Sequence, residues 1–142
     1  MELKRVEKEE DIKAIYPLMC QLRSHLNQED YVELVSEAMA FDRYQLVALM
    51  EHEKPVAVIG YKRMTTLYYG RFIWVCDLVT DQKERSKGYG NKLLTFVEKE
   101  AATLGFDTVA LSSGIKRHMA HRFYEDHNGY SKVSFVFKKS VE

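Results

Sequence analysis

One stretch, FIWVCDLVTDQKERSKGYGNK from Phe72 to Lys92, most constrains what this chain can fold into. A dense apolar run ends in a short charged turn, passes through Arg85-Ser86-Lys87-Gly88-Tyr89-Gly90, and opens onto an amphipathic segment. A strand leading through a glycine-punctuated loop to a helix N-terminus makes an anion cradle. The first helical turn has N–H groups without intrahelical partners and carries the positive end of the helix dipole, and glycines let the backbone close on a phosphate. Arg85 and Lys87 add positive charge to the same loop. The pattern predicts a bound phosphorylated ligand.

At 142 residues and 46% hydrophobic content, the chain is expected to form one domain, 1–142, with a substantial core. Its 21 basic and 21 acidic residues balance, so no charge field argues for nucleic acid or an anionic membrane as partner. The first eleven residues are charged throughout, unlike a secretory signal, and no apolar run approaches the ~20 residues of a membrane span. Cys20 and Cys76 both sit in apolar segments, which reads as a reduced, cytoplasmic protein rather than a disulfide framework.

Periodicity predicts a short strand near 3–7 and a helix over about 10–26, with Ile12, Ile15, Met19, Leu22 and Leu26 at helical spacing. Pro17 should kink that helix or mark a restart. Asn27 reads as the N-cap of a second helix, 28 to about 41. Strands follow at 44–52 and 55–67, joined by a turn at Glu53-Lys54, and then the long apolar strand at 71–80. A helix over 91–104 buries Leu93, Leu94, Val97, Ala101 and Leu104 and is closed by Gly105. A strand at 106–112, a helix at 119–127 and a last strand at 130–138, with Val133, Phe135 and Phe137 alternating, complete the pattern. The order is mixed α/β: antiparallel in the first half, β-α-β-α-β in the second.

Alone, the glycine motif equally suits a tight strand-to-helix turn. A dinucleotide site needs the glycines after the first strand and an acid at the end of the next. Here the cradle lies past the midpoint, and the next strand ends in Ser112-Ser113-Gly114. No Gly-Lys-Ser/Thr follows, so a nucleotide P-loop also fails. The remaining pattern resembles the GNAT superfamily of N-acetyltransferases. The resemblance lies in Asp77-Leu78-Val79-Thr80, Arg85-x-x-Gly88-x-Gly90, Ala120-His121-Arg122-Phe123-Tyr124-Glu125 and Gly129-Tyr130, in that order. It is specific over about 55–139 and loose over the first fifty residues. The run from Ser112 to Tyr130 looks most like the aminoalkylphosphonate N-acetyltransferase branch.

The resemblance implies an α/β fold whose mixed central sheet is flanked by about four helices, with a parallel strand pair splayed at an acetyl-CoA site. It implies acetyl-CoA as cosubstrate and no metal. The pyrophosphate would sit on Arg85, Ser86, Lys87, Gly88, Tyr89, Gly90 and Asn91. The pantetheine amides would pair with the backbone of Leu78, Val79 and Thr80, and Ser113 is a further candidate contact, equally suited to capping its strand.

The implied reaction is direct acyl transfer from thioester to a primary amine of a small molecule. An alkyl amine of pKa ~10.4 is neutral to about one part in a thousand at pH 7, which costs roughly 4–5 kcal/mol. The departing thiolate needs a proton. Tyr124 falls on the family's Phe-Tyr-Glu tyrosine and is the expected general acid, since a phenol of pKa ~10 keeps its proton at neutral pH. Asp77, an acid inside an apolar run, is the expected base or ammonium anchor; alternatively it faces outward or pairs with Arg71 or Arg117.

His118 and His121 lie three apart and suit either a proton relay or solvated surface. Arg117 stands where many relatives carry an asparagine, and could meet an anionic group or point to solvent. Cys76 reads as inert packing. Tyr68, Tyr69, Phe72 and Trp74 read as core and cross-strand hairpin packing, and part of the cluster could wall an amine pocket. Two other functions stay open at this point: acetylation of a protein lysine or N-terminus, and a non-catalytic acyl-CoA-binding module. A homodimer through the last strand is a further expectation.

Overall fold

The computed structural model describes residues 1–141, which form two compact units, 1–110 and 111 onward. In the first unit, β1 (Glu2–Val6) is followed by α1 (Glu9–Ala14), α2 (Tyr16–Leu22) and α3 (Gln28–Phe41). Then come β2 (Gln45–Glu51), β3 (Lys54–Thr66), β4 (Gly70–Thr80), a 3-10 turn (Gln82–Glu84) and α4 (Tyr89–Thr103). The sheet order is β1-β2-β3-β4-β5, antiparallel through β4, with the short β5 (Val109–Leu111) parallel to β4. The expected mixed sheet is present.

Central β3 is buried continuously from Val56 to Tyr61, because helices cover both faces. On one face Leu46, Ala48, Val58 and Val79 pack with Ile12, Ile15, Leu18, Met19, Tyr31 and Val35 of α1–α3. By strand alternation Val47, Leu49, Ala57 and Ile59 face the other way, the side that α4 covers with Leu93, Leu94, Val97 and Ala101. Two tyrosine hydroxyls tie the N-terminal helices together. Tyr31 donates to the carbonyl of Ile12 (2.8 Å) and Tyr16 to that of Leu26 (2.7 Å).

Several boundaries move for local reasons. The expected helix over 10–26 is two helices that meet at Ile15, with Pro17 in the first turn of α2, where its missing N–H costs nothing. Asn27 caps α3, its side chain accepting from the N–H of Asp30 (2.8 Å). The β2–β3 turn falls on His52 and Glu53, both at positive φ (50° and 63°), the twist a tight hairpin requires. β5 is only three residues long, not seven.

The second unit carries α5 (His118–Arg122), which runs into a π-helical turn, Phe123–His127. The helix expected to continue to His127 is therefore widened and underwound at its end. Its close is held by the Asn128 amide donating to the Phe123 carbonyl (2.8 Å) and the Tyr130 N–H donating to the Tyr124 carbonyl (2.9 Å). The last strand expected over 130–138, the proposed dimer contact, is absent: residues 131–141 have no regular secondary structure. A strand needs a ladder partner for its backbone groups, and here Val133, Phe135 and Phe137 are 70%, 82% and 93% exposed.

Burial holds several acids of this fold in their neutral form. Desolvation, with the Asp77 charge second, pushes the Cys76 thiol up to about 11, and desolvation with the Glu100 hydrogen bond pushes Tyr61 up to about 12. The unfolded chain therefore loses these protons first. Their contribution is complete below the ordinary thiol value of ~8.5 and falls as pH rises toward 12. The urea midpoint is expected to be equal at pH 7 and 8 and lower at pH 10.5; a midpoint unchanged at pH 10.5 would contradict this burial.

Candidate functional site

The cradle begins where β4 ends. Asp81 caps the 3-10 turn by accepting from the N–H of Lys83 (3.2 Å), and the chain then runs through Arg85, Ser86 and Lys87 to Gly88. Ser86 and Gly88 both take left-handed conformations, φ 67° and 81°. Gly88 is the N-cap of α4, and only glycine adopts that conformation without strain. A Cβ placed on Gly88 would meet nothing within 4 Å, so this backbone is open to close approach by a ligand. The N–H groups of Tyr89 and Gly90 precede the first intrahelical bond, from Lys92 N–H to Gly88 carbonyl (3.1 Å). The helix therefore begins two residues earlier than the 91–104 expected, and Gly90 lies in its first turn rather than in the loop.

The side chains of the cradle divide the work. Arg85, Ser86 and Asn91 are exposed. Lys87 is held by Glu84 at 2.5 Å, a bond that raises its pKa and offsets its charge. Tyr89 is buried, with its hydroxyl donating to Glu51 (2.9 Å), so its backbone rather than its ring serves the loop. The left-handed loop, the open backbone at Gly88 and the helix N-terminus fit a pyrophosphate.

Upstream, β4 has a bulge. Gly60 pairs with Asp77 but Tyr61 pairs with Val75, which leaves Cys76 as the extra residue. Beyond it Leu78, Val79 and Thr80 pair with Ile59, Val58 and Ala57 on the β3 side. On the other side, the Ile73 N–H donates to the Thr108 carbonyl (3.2 Å) just before β5. Three residues of parallel strand from that level reach only about Cys76. Leu78–Thr80 therefore lie past the paired stretch, with backbone groups along that edge suited to an amide-bearing ligand.

Asp77 lies on the inner face with Val79, not outward, and its partner is neither Arg71 nor Arg117. Its Oδ1 accepts from Arg23 Nε (3.0 Å) and forms an ion pair with Nη2 (3.0 Å), and its Oδ2 accepts from the Tyr44 hydroxyl at 2.5 Å. Arg23 Nη2 also donates to the Cys76 carbonyl (2.9 Å). Burial first, and the Asp77 carboxylate second, hold the Tyr44 phenol well above its ordinary pKa. Tyr44 reaches Asp77 across Gly60, where a Cβ would lie 1.9 Å from its hydroxyl oxygen. Arg23, Tyr44 and Gly60 had no part in the sequence reading. The signal was there: a glycine within an apolar strand marks a bulge or a close approach, and a carboxylate in an apolar run demands partners.

In the second unit Tyr124 is half-buried on the π turn, its ring edge-on to Phe123 (5.3 Å) and Tyr130 (6.0 Å). Such turns recur at functional sites. Among the described residues, the Ser113 hydroxyl is buried without a hydrogen-bond partner. His121 Nε2 lies 2.8 Å from the Gly114 carbonyl, with the His118 ring 5.9 Å away, and Arg117 is exposed. The first unit thus gathers Asp77, Leu78–Thr80 and the 85–91 cradle, while Tyr124 and Ser113 belong to the second.

The Acetyltransferase (GNAT) family model matches residues 12–130, and the chain belongs to that family of N-acetyltransferases. It is 36% identical over 139 residues to the uncharacterized N-acetyltransferase YhdJ of Bacillus subtilis (strain 168), covering 98% of each chain. It is 27% identical over 134 residues to the aminoalkylphosphonate N-acetyltransferase of Salmonella typhimurium (strain LT2), covering 93% of this chain and 86% of that one. Among solved structures, an aminoglycoside N-acetyltransferase in complex with CoA superposes with a TM-score of 0.84 at 10% identity, over 98% of this chain and 93% of that one. Among the described residues no helix is long and apolar enough to cross a membrane.

The close approach at Gly60 makes a direct prediction. Gly60→Ala should destabilise the fold by about 1–3 kcal/mol in urea titrations, because the new methyl overlaps the Tyr44 ring. In a Tyr44→Ala background the same change should cost under about 0.5 kcal/mol. Equal costs in both backgrounds would show that the contact does not set the requirement for glycine.

Proposed function

We propose that this protein moves the acetyl group of acetyl-CoA directly to a primary amine of a small molecule. The observation that carries the reading is the continuous seat from the bulged end of β4 through the left-handed Gly88 to the N-terminus of α4. Bound acetyl-CoA supplies an activated acetyl thioester. Residues Arg85 to Asn91 hold its pyrophosphate, with the N–H groups of Tyr89 and Gly90 and the Arg85 charge as the donors. Leu78, Val79 and Thr80 hold the pantetheine arm through their backbone, and Ser113 is the further contact expected from the sequence.

Tyr124 is the proposed general acid, giving its phenolic proton to the thiolate that leaves as the amide forms, and the proton shed by the amine nitrogen, passed through solvent, restores the phenol. Asp77, the base expected from sequence, accepts from Arg23 with one oxygen and from Tyr44 with the other. The small-amine class is supported by the resemblance of Ser112–Tyr130 and by the relative named for aminoalkylphosphonates. The family model runs across both compact units, so 1–142 is treated as one acetyltransferase domain. Two cysteines without a disulfide suit a cytoplasmic setting.

The test is CoA release, followed with a thiol reagent, over aminoalkylphosphonates, polyamines, amino sugars, amino acids and a lysine peptide. Release with one class of small amine is expected, falling at least tenfold in Tyr124→Phe with acetyl-CoA affinity retained. Release with the lysine peptide alone would overturn the small-molecule reading, and a fully active Tyr124→Phe would remove Tyr124 as the acid.

A further inference from the structure

The contacts of Asp77 point to a role other than proton abstraction. Its side chain is only 17% exposed, and its two oxygens already accept from a guanidinium and a phenol. A general base must turn a lone pair toward the incoming amine, whereas here each carboxylate oxygen accepts a protein hydrogen bond that fixes the orientation of the group. Those donors converge on the bulge. Cys76 is the inserted residue, so its carbonyl lies where the ladder is disrupted, and Arg23 Nη2 supplies a partner at 2.9 Å. One guanidinium thus binds the carbonyl of the bulge and the carboxylate of the next residue, while Tyr44 holds that carboxylate from the opposite side through the gap left by Gly60.

Arg23 is the C-cap residue of α2, and the same helix carries a second tie. The Gln21 amide oxygen accepts from the N–H of Gln82 (3.0 Å), on the segment that leads to Arg85. Helix α2 is therefore fixed to the start and to the end of the Leu78–Thr80 segment.

We propose that Asp77, Arg23 and Tyr44 are positioning residues for acetyl transfer. Together they brace the bulge at Cys76 and so aim the Leu78–Thr80 backbone at the cofactor arm. The brace rests on the acetyl-CoA reading above and deepens it, assigning to an N-terminal helix the control of cofactor geometry.

Three variants separate a brace from a base. Asp77→Asn keeps an oxygen for Arg23 and offers an N–H to the Tyr44 hydroxyl, but cannot take a proton. Asp77→Ala and Arg23→Ala break the brace. CoA dissociation constants come from calorimetry, and kcat, KM for acetyl-CoA and the pH profile of kcat from the amine found above. We expect Asp77→Asn to keep kcat within fivefold with an unchanged pH profile. Arg23→Ala and Asp77→Ala should each raise the CoA Kd and the KM for acetyl-CoA at least fivefold, and the double variant no further than the worse single one. A hundredfold loss of kcat in Asp77→Asn with CoA affinity unchanged would overturn the brace and restore the base. Wild-type CoA affinity in Arg23→Ala would overturn it as well. If wild-type protein binds no CoA, the cofactor reading itself fails. Amide exchange over 75–80 then decides the brace, which requires at least tenfold faster exchange in Arg23→Ala than in wild type and is refuted by equal rates.

Discussion

A carboxylate inside an apolar strand is the constraint around which the first unit is organised. Asp77 lies on the face of β4 that Val79 presents to the core of α1–α3, where an unpaired charge would cost several kcal/mol. Its partners come from two distant stretches of chain, Arg23 at the end of α2 and Tyr44 just before β2. Satisfying the charge draws α2 against β4 and requires Gly60 beneath the tyrosine. It also occupies the carbonyl of the inserted Cys76, so that pairing the charge and stabilising the bulge are one event.

The cofactor seat inherits its geometry from these contacts. Helix α4 is amphipathic, and burial of Leu93, Leu94, Val97 and Ala101 fixes its axis on the sheet. Its N-terminus is fixed as well, by the buried Tyr89 and its bond to Glu51 at the far end of β2. Arg5 adds a tie at the other end of α4, bonding Glu100 (2.8 Å) and Gln45 (2.8 Å). A helix held at both ends offers its first-turn N–H groups without a reorganisation cost when an anion arrives. The chain thus devotes its hydrophobic pattern to placing backbone atoms, and leaves comparatively few side chains for the cofactor itself.

The features legible in the sequence are those with local causes. The spacing of Ile12, Leu93 and Leu94, the cap at Asn27 and the break at Pro17 announce helices because each acts within a turn or two. The Arg85–Gly90 loop is legible because left-handed Gly88 has few substitutes. The brace is not legible: Arg23 and Asp77 lie 54 residues apart, and nothing in either segment names the other. The alternation over 130–138 misled for the opposite reason. Val133, Phe135 and Phe137 carry a strand pattern, but a pattern yields a strand only where a neighbouring backbone completes the ladder. The two-residue shift at the start of α4 arises because Gly88, not Asn91, terminates the loop conformation.

Amide hydrogen exchange with and without CoA tests the central claim most directly, because that claim concerns backbone atoms in two separate segments. The account predicts that CoA slows exchange at Leu78–Thr80 and at Ser86–Asn91 together, with the interior of β3 unchanged. Protection confined to other segments, or to neither of these two, would contradict a seat built from the bulged strand and the helix N-terminus.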